Sequence, residues 1–190
     1  DKRTLLRRLS YDLTGLPPTS AQTHSFLNDN SESAYETMVD TLLASSHFGE
    51  RWARHWLELI RFAETCGYER DQLKPNIWMY RDWVISAFND DMPYDKFVRD
   101  QLAGDEVPYR DENSLIATGM IRAGTWNDEP NDPADYQYTR LEDMVHTTSS
   151  AFIGLTVKCA RCHKHKFDPI KQTDYYRFAN SFWSGYIGQA

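Results

Sequence analysis

Cys159, Ala160, Arg161, Cys162 and His163 place two thiols three residues apart, with an imidazole directly after the second. On one helical turn, two sulfurs at this spacing come to the same side. There they can add to the two vinyl groups along one edge of a porphyrin, and the imidazole that follows is held beneath the iron as proximal ligand. C-x-x-C-H is therefore the attachment signature of c-type haem, and with three Cys and six His in 190 residues a chance match is rare. Two other chemistries use the same residue types. A thioredoxin-like dithiol needs a strand leading into the motif and a βαβ setting, whereas the surrounding pattern is helical. Zinc can draw on Cys159, Cys162, His163 and His165, or on Cys66 as a remote fourth ligand. Adjacent Cys162 and His163, however, do not easily take two corners of one tetrahedron, and no second pair of normal spacing follows.

A low-spin electron-transfer haem also needs a ligand opposite His163, either His nitrogen or Met sulfur. The helical pattern offers His55, on an apolar face between Trp52 and Trp56 where a haem ring would pack and exclude water. The ordinary alternative for such a residue is a core histidine bonded to a carbonyl or carboxylate. Met144 follows, with core filling as its ordinary alternative; His146, Met120 and an open or water-ligated iron complete the set. His165 is too close to His163 along the chain to cross to the other haem face. With Arg161 and Lys166 it can instead neutralise the haem propionates. The plainer reading of KCARCHKHK is a solvated basic patch that attracts an acidic redox partner. His24 and His47 read as solvated, Cys66 as a small buried hydrophobe, and Asp128, Glu129, Asp132 and Asp135 as an acidic loop lacking the ligand grid of a calcium site.

The elements that must carry these groups are helical, because apolar residues recur at spacings of three and four and convincing alternation is absent. A first helix is expected over about Arg3 to Leu13, stopping before Gly15, Pro17 and Pro18. A short second one is capped at Thr19 or Ser20, and a third opens at Ser31 or Ser33. GERWARHWLELIRFAE reads as the most amphipathic segment, with Trp52, His55, Trp56, Leu59, Ile60 and Ala63 on one stripe. NIWMYRDWVISAFN and Tyr94 to Leu102 read as two more helices, the latter closed by Gly104. Gly104 to Tyr138 reads as loop. Helix resumes from Tyr138 to Gly154, with Leu141, Met144, Val145, Thr148 and Phe152 on one side and Glu142, His146, Ser149 and Ser150 on the other. A last helix is expected over Thr173 to Trp183.

Composition bounds the rest. Hydrophobic residues make up 41% and aromatic residues 14%, enough to close a core and to exclude disorder as the main state. Against 21 Lys and Arg stand 28 Asp and Glu, a net charge of −7, which argues against a nucleic-acid partner. No apolar run is long enough to span a membrane. Asp1 opens the chain without the apolar centre of a secretory signal, which suggests a mature or excised unit whose address label has been removed. There is no phosphate loop, G-x-S-x-G elbow or H-E-x-x-H, so no catalytic residue is assigned.

Four segments in order, RRLSYDLTGLPPT, ASSHFGERWARHWLELIRFAET, YRDWVISAFNDDMPYDKFVRDQLAGD and AFIGLTVKCARCHKHKFDPIKQTDYY, resemble a planctomycete cytochrome-c-associated domain family long catalogued as a domain of unknown function. The likeness runs from about residue 3 to residue 183. It implies an exported multi-domain parent, in which this unit follows a small cytochrome c domain and precedes another uncharacterised one. It brings no reaction. Cys159, Cys162 and His163 carry over as haem-binding residues; His55 matches a family position of unassigned role. Members of that family usually carry an acidic residue where this chain has His146 and a different residue at Cys66, so neither inherits a role.

Together these readings describe an all-α protein: a single multi-helix domain over residues 1–190 enclosing one covalent c-type haem, held by Cys159, Cys162 and His163. Because haem attachment takes place outside the cytoplasm, it would be periplasmic or otherwise exported. Its task would be electron transfer with a redox partner protein or a neighbouring cytochrome domain. The alternatives are a component of a haem enzyme of oxidase, peroxidase or dehydrogenase type with an open distal site, a haem that only staples the fold, and a zinc-binding structural domain.

Overall fold

Helix starts lie where a side-chain oxygen can take an orphan backbone N–H. Asp1 accepts the Thr4 N–H at 2.7 Å and opens α1 (Lys2–Thr14). Gly15, in the left-handed region at φ 71°, closes it by donating to Tyr11 O. Thr19 and Gln22 form a reciprocal capping box at the start of α2 (Ser20–Asn28). The computed structural model describes residues 1–187, with side chains described to residue 183. Within them follow α3 (Ala34–Leu43), α4 (Ser46–Leu59), α5 (Ile77–Asn89), α6 (Tyr94–Ala103), α7 (Glu112–Ala117), α8 (Pro133–Ile153) and α9 (Gln172–Ile187). Single 3-10 turns cover Thr118–Arg122 and Lys158–Arg161. Among the described residues no strand forms beyond one isolated antiparallel bridge, Thr65 to Leu73. The chain is all-helical, and none of its helices is long and apolar enough to cross a membrane among the described residues.

Contacts sort the chain into two compact units that are interleaved along the sequence. One comprises residues 1–57 and 78–118, the other residues 58–77 and 119–190. In the first unit, Leu6, Phe26, Ala34, Met38 and Leu42 join α1, α2 and α3 in one apolar cluster. A second centre forms where α4, α5 and α6 meet. Gln101 Oε1 accepts both Trp56 Nε1 at 2.9 Å and the Tyr80 hydroxyl at 2.6 Å, and its own amide donates to Phe97 O at 2.9 Å. Trp83 stacks on Phe97 at 5.4 Å between ring centroids. These polar atoms are paired among themselves because buried, unpaired ones are costly.

In the second unit α8 is the central element. Leu141 and Val145 pack with Val157, Ala160, Tyr175 and Ala179, with Leu155, Ile170 and Phe178 at the edges. The segment before α5 is tied to α8 by Arg61, whose guanidinium grips Asp143 through Nε at 2.8 Å and Nη2 at 2.5 Å. Lys74 Nζ donates to Ala123 O at 2.8 Å and Gly124 O at 2.6 Å. Burial holds its ammonium below the usual lysine range.

Three expectations change. The region Gly104 to Tyr138 is not continuous loop: Asp111 caps α7, and Asp132, accepting Ala134 N and Asp135 N, starts α8 at Pro133. Asp followed by Pro is a loop signal by composition, but it is also an N-cap with proline at the first helical position. In α4 the buried positions are Gly49, Ala53 and Trp56, while Trp52 is 39% and Leu59 57% exposed. Small residues select the packed face here, since a Cβ at Gly49 would lie 2.4 Å from Ile85 O on α5. Finally, from Arg140 onward α8 has buried residues on both sides, Ser149 as completely as Val145, so this part of the helix is internal rather than amphipathic, while most of its first turns are exposed.

Candidate functional site

The Cys159–His163 segment is built as a tight turn. Val157 to Arg161 wind into a 3-10 turn, and the N–H groups of Cys162 and His163 both approach Cys159 O at 3.4 Å. One residue of so tight a turn must point inward, and it is Ala160, fully buried among Leu141, Val145, Val157 and Tyr175. With Ala160 as the plug, Cys159 and Cys162 are turned outward; both are free and exposed. Arg161 leans instead to α8. There its guanidinium pairs with Glu142, which also takes Lys158 at 3.4 Å. The Glu142 carboxylate, only 16% exposed, raises the Arg161 pKa above its ordinary value.

Helix α9 holds the turn from the other side. Gln172 Nε2 donates to Arg161 O at 2.9 Å and Cys162 O at 3.3 Å, and the Tyr176 hydroxyl donates to Arg161 O at 3.2 Å. Tyr175, beside them, has its phenol pushed above the usual range, first by burial and then by the Glu142 charge. These helix-borne groups, Glu142, Gln172, Tyr175 and Tyr176, position the turn. The sequence offered no signal for their role, because each acts across a tertiary contact.

The imidazole that follows is presented in one tautomer. His163 Nδ1 lies 2.8 Å from Lys164 O. A carbonyl can only accept, so in the neutral ring Nδ1 carries the proton and Nε2 keeps its lone pair, the arrangement that orients a metal-binding histidine. Two outward thiols on one turn and an adjacent exposed imidazole with an available Nε2 fit a covalently attached haem. Cys159 and Cys162 would hold its edge and His163 its iron.

The remaining candidates fall into place around this core or apart from it. His165 braces the following loop: its Nδ1 accepts Asp168 N–H at 3.0 Å, its backbone N–H donates to Ile170 O at 2.9 Å, and its side chain is 7% exposed. Lys166 is exposed and lies 5.2 Å from the centre of the Phe167 ring. Arg161 is already paired with Glu142 through Nη1. Met144 and Met120 are core residues, at 5% and 3% exposure. His146 stands on α8 with its Nδ1 buried and without a hydrogen-bond partner. A nitrogen left so costs about 1–3 kcal/mol.

His55, Trp52 and Trp56 belong to the first unit, whereas Cys159, Cys162, His163, Arg161, His165 and Lys166 belong to the second. His55 is exposed and meets Trp52 edge-on at 5.6 Å, and Trp56 alone of the three is buried. Cys66 is half-buried, with its backbone shared between Gln72 O and Trp126 N. Among the described residues no three His, Cys, Asp or Glu side chains are grouped to hold a metal ion, so zinc has no assembled ligand cluster. The acidic loop is spent on structure, since Arg70 takes both Asp128 and Glu129.

The PSCyt2 family model, described as protein of unknown function (DUF1549), matches residues 1–185. No curated protein and no solved structure matches the chain.

Proposed function

We propose that this chain, which belongs to the PSCyt2 family of proteins of unknown function (DUF1549), is a c-type cytochrome domain that transfers electrons in an exported redox protein. The observation that carries the reading is the build of one turn. Ala160 is buried so that Cys159 and Cys162 face out, and His163 is fixed by its bond to Lys164 O with Nε2 available. Each thiol S–H can add across one vinyl C=C with no leaving group, and the neighbouring imidazole then lies at the metal. When bound, the haem would supply one-electron chemistry at its iron. The chain's own residues hold it: Gln172 and Tyr176 fix the carbonyls behind the thiols, and Glu142 anchors the cations on either side. Export belongs to the same proposal, since covalent haem attachment is completed outside the cytoplasm.

Charge supports an electron-transfer surface over a buried catalytic chamber. The chain as a whole carries −7, yet the stretch from Lys158 to Arg177 adds Arg161, Lys164, Lys166 and Lys171 against only Asp168 and Asp174. A locally basic rim on an acidic protein steers an acidic partner to the place where the haem edge would emerge.

Intact mass under denaturing conditions tests the proposal, after production alongside a cytochrome c maturation system. The polypeptide is expected to carry the mass of one haem. Cys159→Ser should leave a single thioether and a shifted ferrous spectrum, and Cys159→Ser with Cys162→Ser should lose the pigment on unfolding. A colourless protein of bare polypeptide mass, or one that retains zinc, rejects the reading.

A further inference from the structure

We propose that the loop after the thiol turn, with Phe167 at its tip and Lys164, Lys166 and Lys171 around it, docks this chain on the surface of an anionic phospholipid bilayer. The inference stands on this loop and not on the haem, and it holds whether or not a cofactor is attached at the thiols. Phe167 is 83% exposed, more than any other large apolar side chain among the described residues. Apolar surface left in water keeps its drive toward burial elsewhere. The ring is held out by a braced support. His165 N–H donates to Ile170 O at 2.9 Å, Ile170 N–H to Asp168 O at 2.8 Å, and Asp168 N–H to His165 Nδ1 at 3.0 Å. The foot of the loop is seated in the second unit, since the His165 side chain is 7% exposed and Ile170 packs at the edge of the α8 core. Lys166 and Phe167 are left as the tip.

Charge fits the same surface. From Lys158 to Arg177 the chain carries six Lys and Arg against two Asp, whereas all its other residues together carry fifteen against twenty-six. An anionic surface therefore repels most of the molecule and attracts this segment, so approach is oriented. Lys164 and Lys171 flank the closing pair His165 and Ile170, and Lys166 Nζ stands 5.2 Å from the centre of the Phe167 ring. One apolar side chain gives only a marginal anchor, and a basic cluster beside it supplies the second signal that stable binding needs.

The kind of cation favours lipid over an acidic protein. Protein interfaces are rich in arginine and poor in lysine. The arginines here are engaged, Arg161 with Glu142 and Arg177 at 3.8 Å from Asp174. Around the ring the cations are lysines, whose long stems keep the ammonium among phosphate headgroups while an apolar neighbour enters the acyl boundary. A ring on a loop tip also enters a fluid interface with no preformed pocket, which a protein partner would have to supply.

In the test, the full chain is mixed with vesicles of phosphatidylcholine alone or of phosphatidylcholine with phosphatidylglycerol, and the bound fraction is read by sedimentation. Binding is expected only with phosphatidylglycerol, and it should be lost as salt rises from about 0.1 M to about 0.5 M. Phe167→Ala should weaken the partition about tenfold, as partial burial of one aromatic side chain implies, and Phe167→Trp should restore it. Lys166→Glu with Lys171→Glu should abolish binding. Circular dichroism confirms that each surface variant is folded. Soluble polyglutamate is the probe for an acidic protein: a chain that binds it but not the phosphatidylglycerol vesicles assigns the face to a protein partner and overturns the inference. Equal binding by wild type and Phe167→Ala, equal binding to both lipid compositions, or no binding to either, overturns it as well.

Discussion

Ala160 and Arg161, the two residues between the thiols, divide the work of the turn. The small one fills the core, and the charged one ties the turn to α8 through Glu142. Their neighbour Tyr175 shows what that burial does to a titrating group. Its phenol ionises above the ordinary value of 10.0, because burial and the Glu142 carboxylate both disfavour the anion. In the unfolded chain the same phenol loses its proton near pH 10. The stabilisation is thus fully present below that pH and is lost as pH rises through the folded value. Tyr175→Phe should flatten the fall in stability above pH 10, measured by urea denaturation at stepped pH; equal slopes for the two proteins would reject this account. At this scale the sequence singled out Cys159, Cys162 and His163, because their spacing is local. It was silent on Glu142, Gln172 and Tyr176, which matter only through what they touch.

Two glycines show how elements are joined for different reasons. Gly104 follows α6 with an ordinary φ of −63°, so it is not there for conformational freedom. A Cβ would lie 1.9 Å from Ser114 O, on the neighbouring α7. Gly154 ends α8 at φ 65° with open space around it, so there only the left-handed backbone matters. Gly104→Ala is expected to cost about 3 kcal/mol through backbone displacement, and Gly154→Ala about 1 kcal/mol through the left-handed conformation alone. Chemical denaturation of the two variants side by side checks the order, and equal losses would remove the distinction. The sequence pattern marked both helix ends correctly, but a Gly near a helix end reads as a cap by default. Only the packed neighbour shows that one of them is a point of close approach. The same limit explains α4: large aromatics drew the expected stripe to Trp52 and His55, whereas Gly49 and Ala53 decide which face α5 can approach.

Across the whole chain, each compact unit has its own packed centre. In the first, Gln101 is the shared acceptor for Trp56 and Tyr80 and is itself fully buried. Gln101→Leu keeps much of the volume but removes the acceptor that the indole and the phenol share, leaving the Trp56 N–H its longer bond to the Tyr80 hydroxyl at 3.1 Å, and is expected to cost about 1–3 kcal/mol. Native-state hydrogen exchange should register the loss in residues 1–57 and 78–118 above all. Uniform loss across all amides would show instead that the chain opens as one cooperative body. Residue order by itself determined the helical character of this protein, most helix positions and the C-x-x-C-H spacing from which the haem proposal starts, because each follows from periodicity, capping or spacing within a few neighbouring residues. Tertiary structure alone decided that Ala160 turns the thiols outward, that Arg161 belongs to Glu142, and that a buried nitrogen of His146 is left without a partner. Those depend on which distant segments meet, and contacts between distant segments leave no periodic trace along a chain.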